Sequence, residues 1–297
     1  MPPATAREAG LLDHRLLFVT GKGGVGKSTV AAALGGLAAA DGRRVIVAEV
    51  HRRADVEHAV TAAGADHISI DPQDAMEEYL ADQLPRPLAE LLKSSRAFGY
   101  LAAATPGLRE LLTAGKLWEL AQDERRTPGA RPYDLVVVDA PATGHGLALL
   151  QAPRTFADAA KVGPIARQGG IIDAQLRDPA QTAVIAVTTA EEMPVNETLA
   201  LRDGLRDAMG LDLSLVVVNA ARPDRFAAAE ARALADAADE AAVAAALGQH
   251  AVAREQRAQL ARLRRGLGGA VPTVTLPFRP EGADPAAFAS RLARAAR

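Results

Sequence analysis

The chain has no cysteine in 297 residues. That one absence excludes a disulfide framework, an iron–sulfur cluster and any thiolate-held metal, zinc included. Neither sign of charge is in excess. The formal net charge is −2 and no long basic run occurs, which argues against a surface built for nucleic acid. Long apolar runs are missing as well. None approaches the roughly 20 residues needed to span a bilayer, so no integral membrane segment is expected. The first dozen residues are polar and mixed in charge, unlike a signal peptide. No internal repeat is visible. The default expectation is a cytoplasmic protein.

What is present is a sequence that is 49% hydrophobic and long enough for one large α/β domain or two small ones. Short apolar runs alternate with longer helical patterns, the sign of βαβ units and a parallel sheet. The runs at 16–20, 44–50, 133–139, 183–188, 213–219 and 271–276 are expected as strands, with a weaker edge piece at 67–71. Val136-Val137-Val138 and Val216-Val217-Val218 are continuously apolar, as in strands covered on both faces. No strand is expected between Asp71 and Pro132. Residues 74–84, 87–93 and 108–122 look helical there, punctuated by Pro85, Pro87, Pro106 and Gly107. The fold class is therefore α/β, a doubly wound and mostly parallel sheet, with 1–297 as one domain and 72–132 as a helical insertion within it. The Ala/Arg-rich stretch 226–266 is expected to be helical, and a last helix spans 284–297.

Residues 21–29 read GKGGVGKST, directly after the apolar run 16–20 and before a run of helix formers. Gly21, Gly26, Lys27 and Ser28 satisfy the phosphate-loop spacing G-x-x-x-x-G-K-[ST]. The glycines, with Gly23, Gly24 and Val25 between them, let successive backbone N–H groups face a polyphosphate, and the following helix adds its positive end. Lys27 would reach the β/γ-phosphates. The Ser28 hydroxyl would take Mg²⁺, and Thr29 closes the loop. Lys22 is additional: an ordinary phosphate loop does not need it.

A second landmark is YDLVVVDAPATGHG, in which an apolar strand ends in Asp139. A carboxylate delivered there would hold a Mg²⁺-bound water beside the loop, although aspartates also follow strands as turn formers. The small residues Ala140–Gly146 suit a segment that moves when the γ-phosphate leaves. His145 would either sense the phosphate or cap the following helix.

Together GKGGVGKST, DAPATGH, EEMPVNET (191–198) and VVVNAARP (216–223) resemble the ArsA-type anion-transporting ATPase family. That family includes the arsenite-efflux ATPase and the ATPase that escorts tail-anchored membrane proteins. The likeness is nearest to its cysteine-free actinobacterial members, often encoded as paralogous pairs. The resemblance implies ATP or ADP with Mg²⁺ as ligands, ATP hydrolysis, and a nucleotide-dependent homodimer or heterodimer acting on a protein client, membrane proteins among the possibilities. It makes Lys22 the lysine that crosses a dimer to the partner's phosphates, the physics of an arginine finger. It makes Asn219 the reader of the adenine edge and sets Pro277 and Phe278 against the base.

Two departures stand out. Where the family carries an aspartate that orients the attacking water, this chain reads AEVHRRAD, which puts His51 at that position. Glu49 lies where the MinD-like relatives of the family also carry a carboxylate, and Asp55 is a further candidate. Hydrolysis would then be slow or use another carboxylate, Glu49 being the candidate catalytic one, or the chain would be a non-hydrolysing scaffold paired with an active paralogue. Cargo is the other departure. Arsenite capture and the zinc seam of the targeting factor both rest on cysteine. The insertion has one methionine, Met76, too little for an adaptable greasy clamp, so its leucines are expected to form its own packing and a dimer or partner surface.

Overall fold

The computed structural model describes residues 10–50, 54–83, 105–127, 129–236, 241–282 and 285–296. Seven strands form one sheet: β1 (Leu16–Thr20), β2 (Val45–Val50), β3 (Asp66–Ile70), β4 (Leu135–Asp139), β5 (Thr182–Thr189), β6 (Leu215–Ala221) and β7 (Thr273–Pro277). Their order is β3-β2-β4-β1-β5-β6-β7, and every neighbouring pair is parallel. Helices among the described residues are α1 (Lys27–Ala40), α2 (Ala54–Ala62), α3 (Pro72–Gln83), α4 (Leu108–Leu120), α5 (Thr143–Ala160), α6 (Pro164–Arg177), α7 (Glu192–Met209), α8 (Ala228–Asp236), α9 (Ala241–Leu267) and α10 (Pro285–Ala296).

The strands are continuously apolar because both faces of the sheet are covered. Leu16 and Phe18 of β1 point with Val136 and Val138 of β4 into one core, completed by α4, α5, α6, α7 and α9. Leu17, Val19, Leu135 and Val137 point the other way, against α1, α2 and α10. The sheet is thus doubly wound, as expected. The weak edge piece is β3, paired with β2. Strand β6 starts two residues later than the apolar run suggested and extends to Ala221, where a register shift against β7 lets it continue past Asn219. The Ala/Arg-rich stretch gives two helices, α8 and α9. The expected helix 87–93 and the residues Leu84, Leu88, Leu91 and Leu92 lie outside the described residues.

Helix α1 follows β1 onto one face, whereas α5 follows β4 onto the other. The crevice between the carboxyl ends of β1 and β4 is therefore a topological switch point, where open α/β sheets bind their ligands. All seven strands being parallel, the residues that end β2, β4, β6 and β7 reach that same rim.

Helix α10 buries Phe288 and Leu292 in the core shared with α1. Its apolar side is therefore covered by protein. No described helix is long and apolar enough to cross a membrane. Around the insertion, α3, α4, α5 and α6 line an open apolar pocket of about 190 Å³ that includes Met76, Leu108, Leu111, Leu112, Phe156 and Ile172. A pocket of that size admits a ring-sized group. Leu117 and Leu120 of α4 are buried in the main core.

Helix α4 also carries a buried ion pair. Burial, the largest single effect, would raise the Glu119 carboxyl, but the hydrogen bonds and charge of Arg125, the Arg126 N–H and the Lys116 charge together outweigh it and hold the group below its ordinary value of 4.5. A depressed carboxyl stabilises the fold above its unfolded value, and the contribution is lost as pH falls through the folded value. Glu119→Gln should cost about 3 kcal/mol at neutral pH, because it leaves a buried guanidinium uncompensated. Thermal melts should show that deficit shrinking as the pH is taken below 4.5.

Candidate functional site

The loop from β1 into α1 can be built only with glycine at two points. Gly21 has φ +148°, and a Cβ there would lie 2.0 Å from the Val187 carbonyl oxygen of β5. Gly26, immediately before α1, is left-handed with φ +95°, and a Cβ there would lie 2.3 Å from Nδ2 of Asn219. Gly24 is also left-handed, while Gly23 and Gly24 are exposed at the tip. Val25 is buried and pins the loop to the core. Ser28 and Thr29 fall in the first turn of α1, whose amino end opens on the crevice.

Side chains brace this cradle from below and from the side. The Asn219 amide donates from Nδ2 to the Val25 carbonyl at 2.9 Å, and its Oδ1 accepts from the Ala220 N–H at 2.9 Å. The structure thus sets Asn219 beneath the loop, with both amide ends bonded to protein. Lys27 donates from Nζ to the Lys22 carbonyl at 3.0 Å, which folds its side chain back over the loop. The Lys22 ammonium forms an ion pair with Glu197 of α7. Sequence reasoning gave Glu197 no role, although it belongs to the EEMPVNET motif.

Asp139 ends β4 in register with Val19 of β1 and Glu49 of β2, and it is buried. The segment after it is tied to β1: the Thr20 hydroxyl donates to the Pro141 carbonyl at 2.9 Å, and Ala140 N–H donates to Val19 O at 3.0 Å. Helix α5 begins at Thr143, so His145 is exposed in its first turn rather than preceding it as a cap. Glu49 is 1% exposed, with Oε2 3.2 Å from Nε2 of His67 on β3. Only strand pairing reveals His67; nothing in its own neighbourhood in the chain marks it. His51 lies outside the described residues with Arg52 and Arg53, and Asp55 stands in the first turn of α2.

At the far side of the rim Pro277 ends β7 opposite Ala221, and the Phe278 N–H donates to the Ala221 carbonyl at 2.9 Å. The Arg222 guanidinium sits 3.5 Å above the Phe278 ring. The structure therefore gathers Gly21–Thr29, Asn219 and Asp139 around one crevice, with Pro277 and Phe278 beside it. Glu49 is next to Asp139 but turned onto His67. No cluster of three or more metal-ligating side chains occurs among the described residues. Mg²⁺ bound mainly by phosphates and water needs none, and Ser28 with Asp139 is a fitting protein contribution.

The profile of the anion-transporting ATPase family matches residues 14–168, from β1 through the loop, Asp139 and α5. The chain belongs to the ArsA-type ATPase family. Across most of its length it is 33% identical to ATPase BagA of Mycobacterium tuberculosis, covering 91% of this chain and 89% of that one. It is 29% identical to an arsenical pump-driving ATPase of Escherichia coli, over 89% of this chain but 46% of that protein. A third relative, ATPase get3 of Pyrenophora tritici-repentis, is 28% identical over 54% of this chain and 51% of its own. ATP binding and hydrolysis are thus the activity at the level of this family. Glu197, Asn219 and Phe278 fall beyond the matched profile, and the alignment covering 91% of the chain takes in the first two.

Asn219→Ala should leave the buried Val25 carbonyl without its donor, at a cost of about 1–3 kcal/mol. Gly26→Ala should cost more in the native background than in Asn219→Ala, because only the first contains the clash. Urea midpoints of the two single variants and the double would show this non-additivity.

Proposed function

We propose that this chain binds ATP·Mg²⁺ and hydrolyses it as a dimeric switch that acts on a protein partner. The reading is carried by one observation: a loop that requires glycine at positions 21 and 26, braced by Asn219, opens beside Asp139 at the sheet's switch point. The loop amides and Lys27 hold the phosphates. Ser28 would hold the metal and Asp139 a water on it; when bound, Mg²⁺ would supply charge neutralisation for the leaving γ-phosphoryl group. Lys22, whose side chain is about one-third exposed, supplies its ammonium to the site of a homologous partner subunit. Asn219, Pro277 and Phe278 line the base side.

The segment 139–146 runs from the end of β4 into the first turn of α5, and its ties to Thr20 give it a defined position that γ-phosphate contacts would shift. Helices α3 and α4 belong to the 72–132 insertion of a single domain 1–297 and carry the partner-facing surface, with the protein working in the cytoplasm. The apolar pocket lined by α3 and α4 is large enough to take a side chain of a partner. Without cysteine, neither thiolate capture of arsenite nor a zinc seam contributes.

A second reading is a nucleotide-binding scaffold that does not hydrolyse and pairs with an active paralogue. It is favoured by Glu49, whose carboxylate is buried on His67 rather than presented to a water. Steady-state phosphate release separates the two. The native chain should exceed Lys27→Ala, which removes the ammonium from the phosphates, and Lys22→Ala should lower turnover about 10³-fold or more, as for other cations supplied in trans. Native turnover equal to the Lys27→Ala background would leave the scaffold reading.

A further inference from the structure

Glu197 stands on the second turn of α7, and its carboxylate is forked between two functional segments. One oxygen holds the Lys22 ammonium; the other accepts the Thr143 hydroxyl at 3.2 Å. Lys22 and Glu197 lie 175 residues apart in the chain, so the contact is a product of the fold. The orientation of α7 is fixed by Val195, Leu201 and Leu205, all buried. Glu197 lies off that stripe and 32% exposed, and its aim is therefore set by the helix behind it.

A lysine has four rotatable side-chain bonds and holds one direction only against a large entropic cost. A single carboxylate on a long arm would do little to fix it. The Thr143 hydroxyl supplies the second anchor, and Thr143 is also the first residue of α5, directly after the segment that follows Asp139. An ammonium has three N–H donors, so engagement with Glu197 leaves others for a phosphate.

We propose that Glu197 is a positioning residue: it presents the Lys22 ammonium beside the phosphate loop and, through Thr143, makes that presentation depend on where the segment after Asp139 stands. The proposal deepens the reading of Lys22 given above and rests on it. In this arrangement Lys22 and the segment after Asp139 share one carboxylate, and a shift of Thr143 is felt at Lys22 without passing through the nucleotide.

The test uses the full chain and a readout that needs no turnover. Acylation of the Lys22 amine by an N-hydroxysuccinimide ester, followed by peptide mass spectrometry, reports how firmly it is held. Glu197→Gln should raise the Lys22 labelling rate by roughly threefold, the range of a partly exposed ion pair, with Lys116 as the internal reference on Glu78. Thr143→Val should raise it less, and should add nothing in the Glu197→Gln background. In phosphate release, Glu197→Gln should lower kcat with KM for ATP unchanged, and should add nothing to Lys22→Ala. Unchanged labelling in Glu197→Gln, or an additive Thr143→Val effect, would overturn the proposal. If Glu197→Gln fails to fold by circular dichroism, a faster Lys22 label in Thr143→Val supports the coupling and an unchanged one defeats it. A native chain without turnover would remove the ATPase reading, while the labelling still decides whether Glu197 holds Lys22.

Discussion

The site depends on how closely the backbone leaving β1 passes its neighbours. At Gly21 the chain runs against the Val187 carbonyl, and at Gly26 against the Asn219 amide, each closer than any side chain permits. A loop held this tightly keeps its amides aimed in one direction, which is what preorganised anion binding requires. The same closeness explains why Asn219, nearly 200 residues downstream, belongs to the loop as much as the glycines do.

That closeness is possible because the sheet beneath it is rigid. β1 is buried on both faces between β4 and β5, so the C-terminal ends of three strands are fixed relative to one another. Asp139 and Val187 approach the loop from opposite sides on those strands. Further out, β2 and β3 bring Glu49 and His67 together, and β6 and β7 bring Arg222 and Phe278 together. The rim therefore reads as a row of pairs, each made by two adjacent strands.

Much of this was legible in the sequence. The run 16–20 is β1 to the residue, and the phosphate-loop spacing marked the glycines that the structure leaves no room to replace. Buried parallel strands announce themselves by unbroken Val and Leu runs, which is why the fold class followed readily. What was not legible came from pairing across distance. His67 on Glu49, Glu197 on Lys22 and Arg222 on Phe278 each join strands or helices that local pattern treats separately. The end of β6 was misjudged for a related reason: the register shift by Ala220, a non-glycine residue at φ +54°, is imposed by β7 and leaves no mark on the apolar run itself.

Helix α10 adds a consequence of a different kind. It packs Phe288 and Leu292 onto the core layer that α1 shares, and α1 begins at the loop. The helix that leaves the phosphate loop is thus backed by one that lies far downstream in the chain. The central strands can pair before α10 docks, but the layer behind the loop stays unfinished until it does. Completion of the pocket is in this sense a long-range event, set by the arrival of a distant helix.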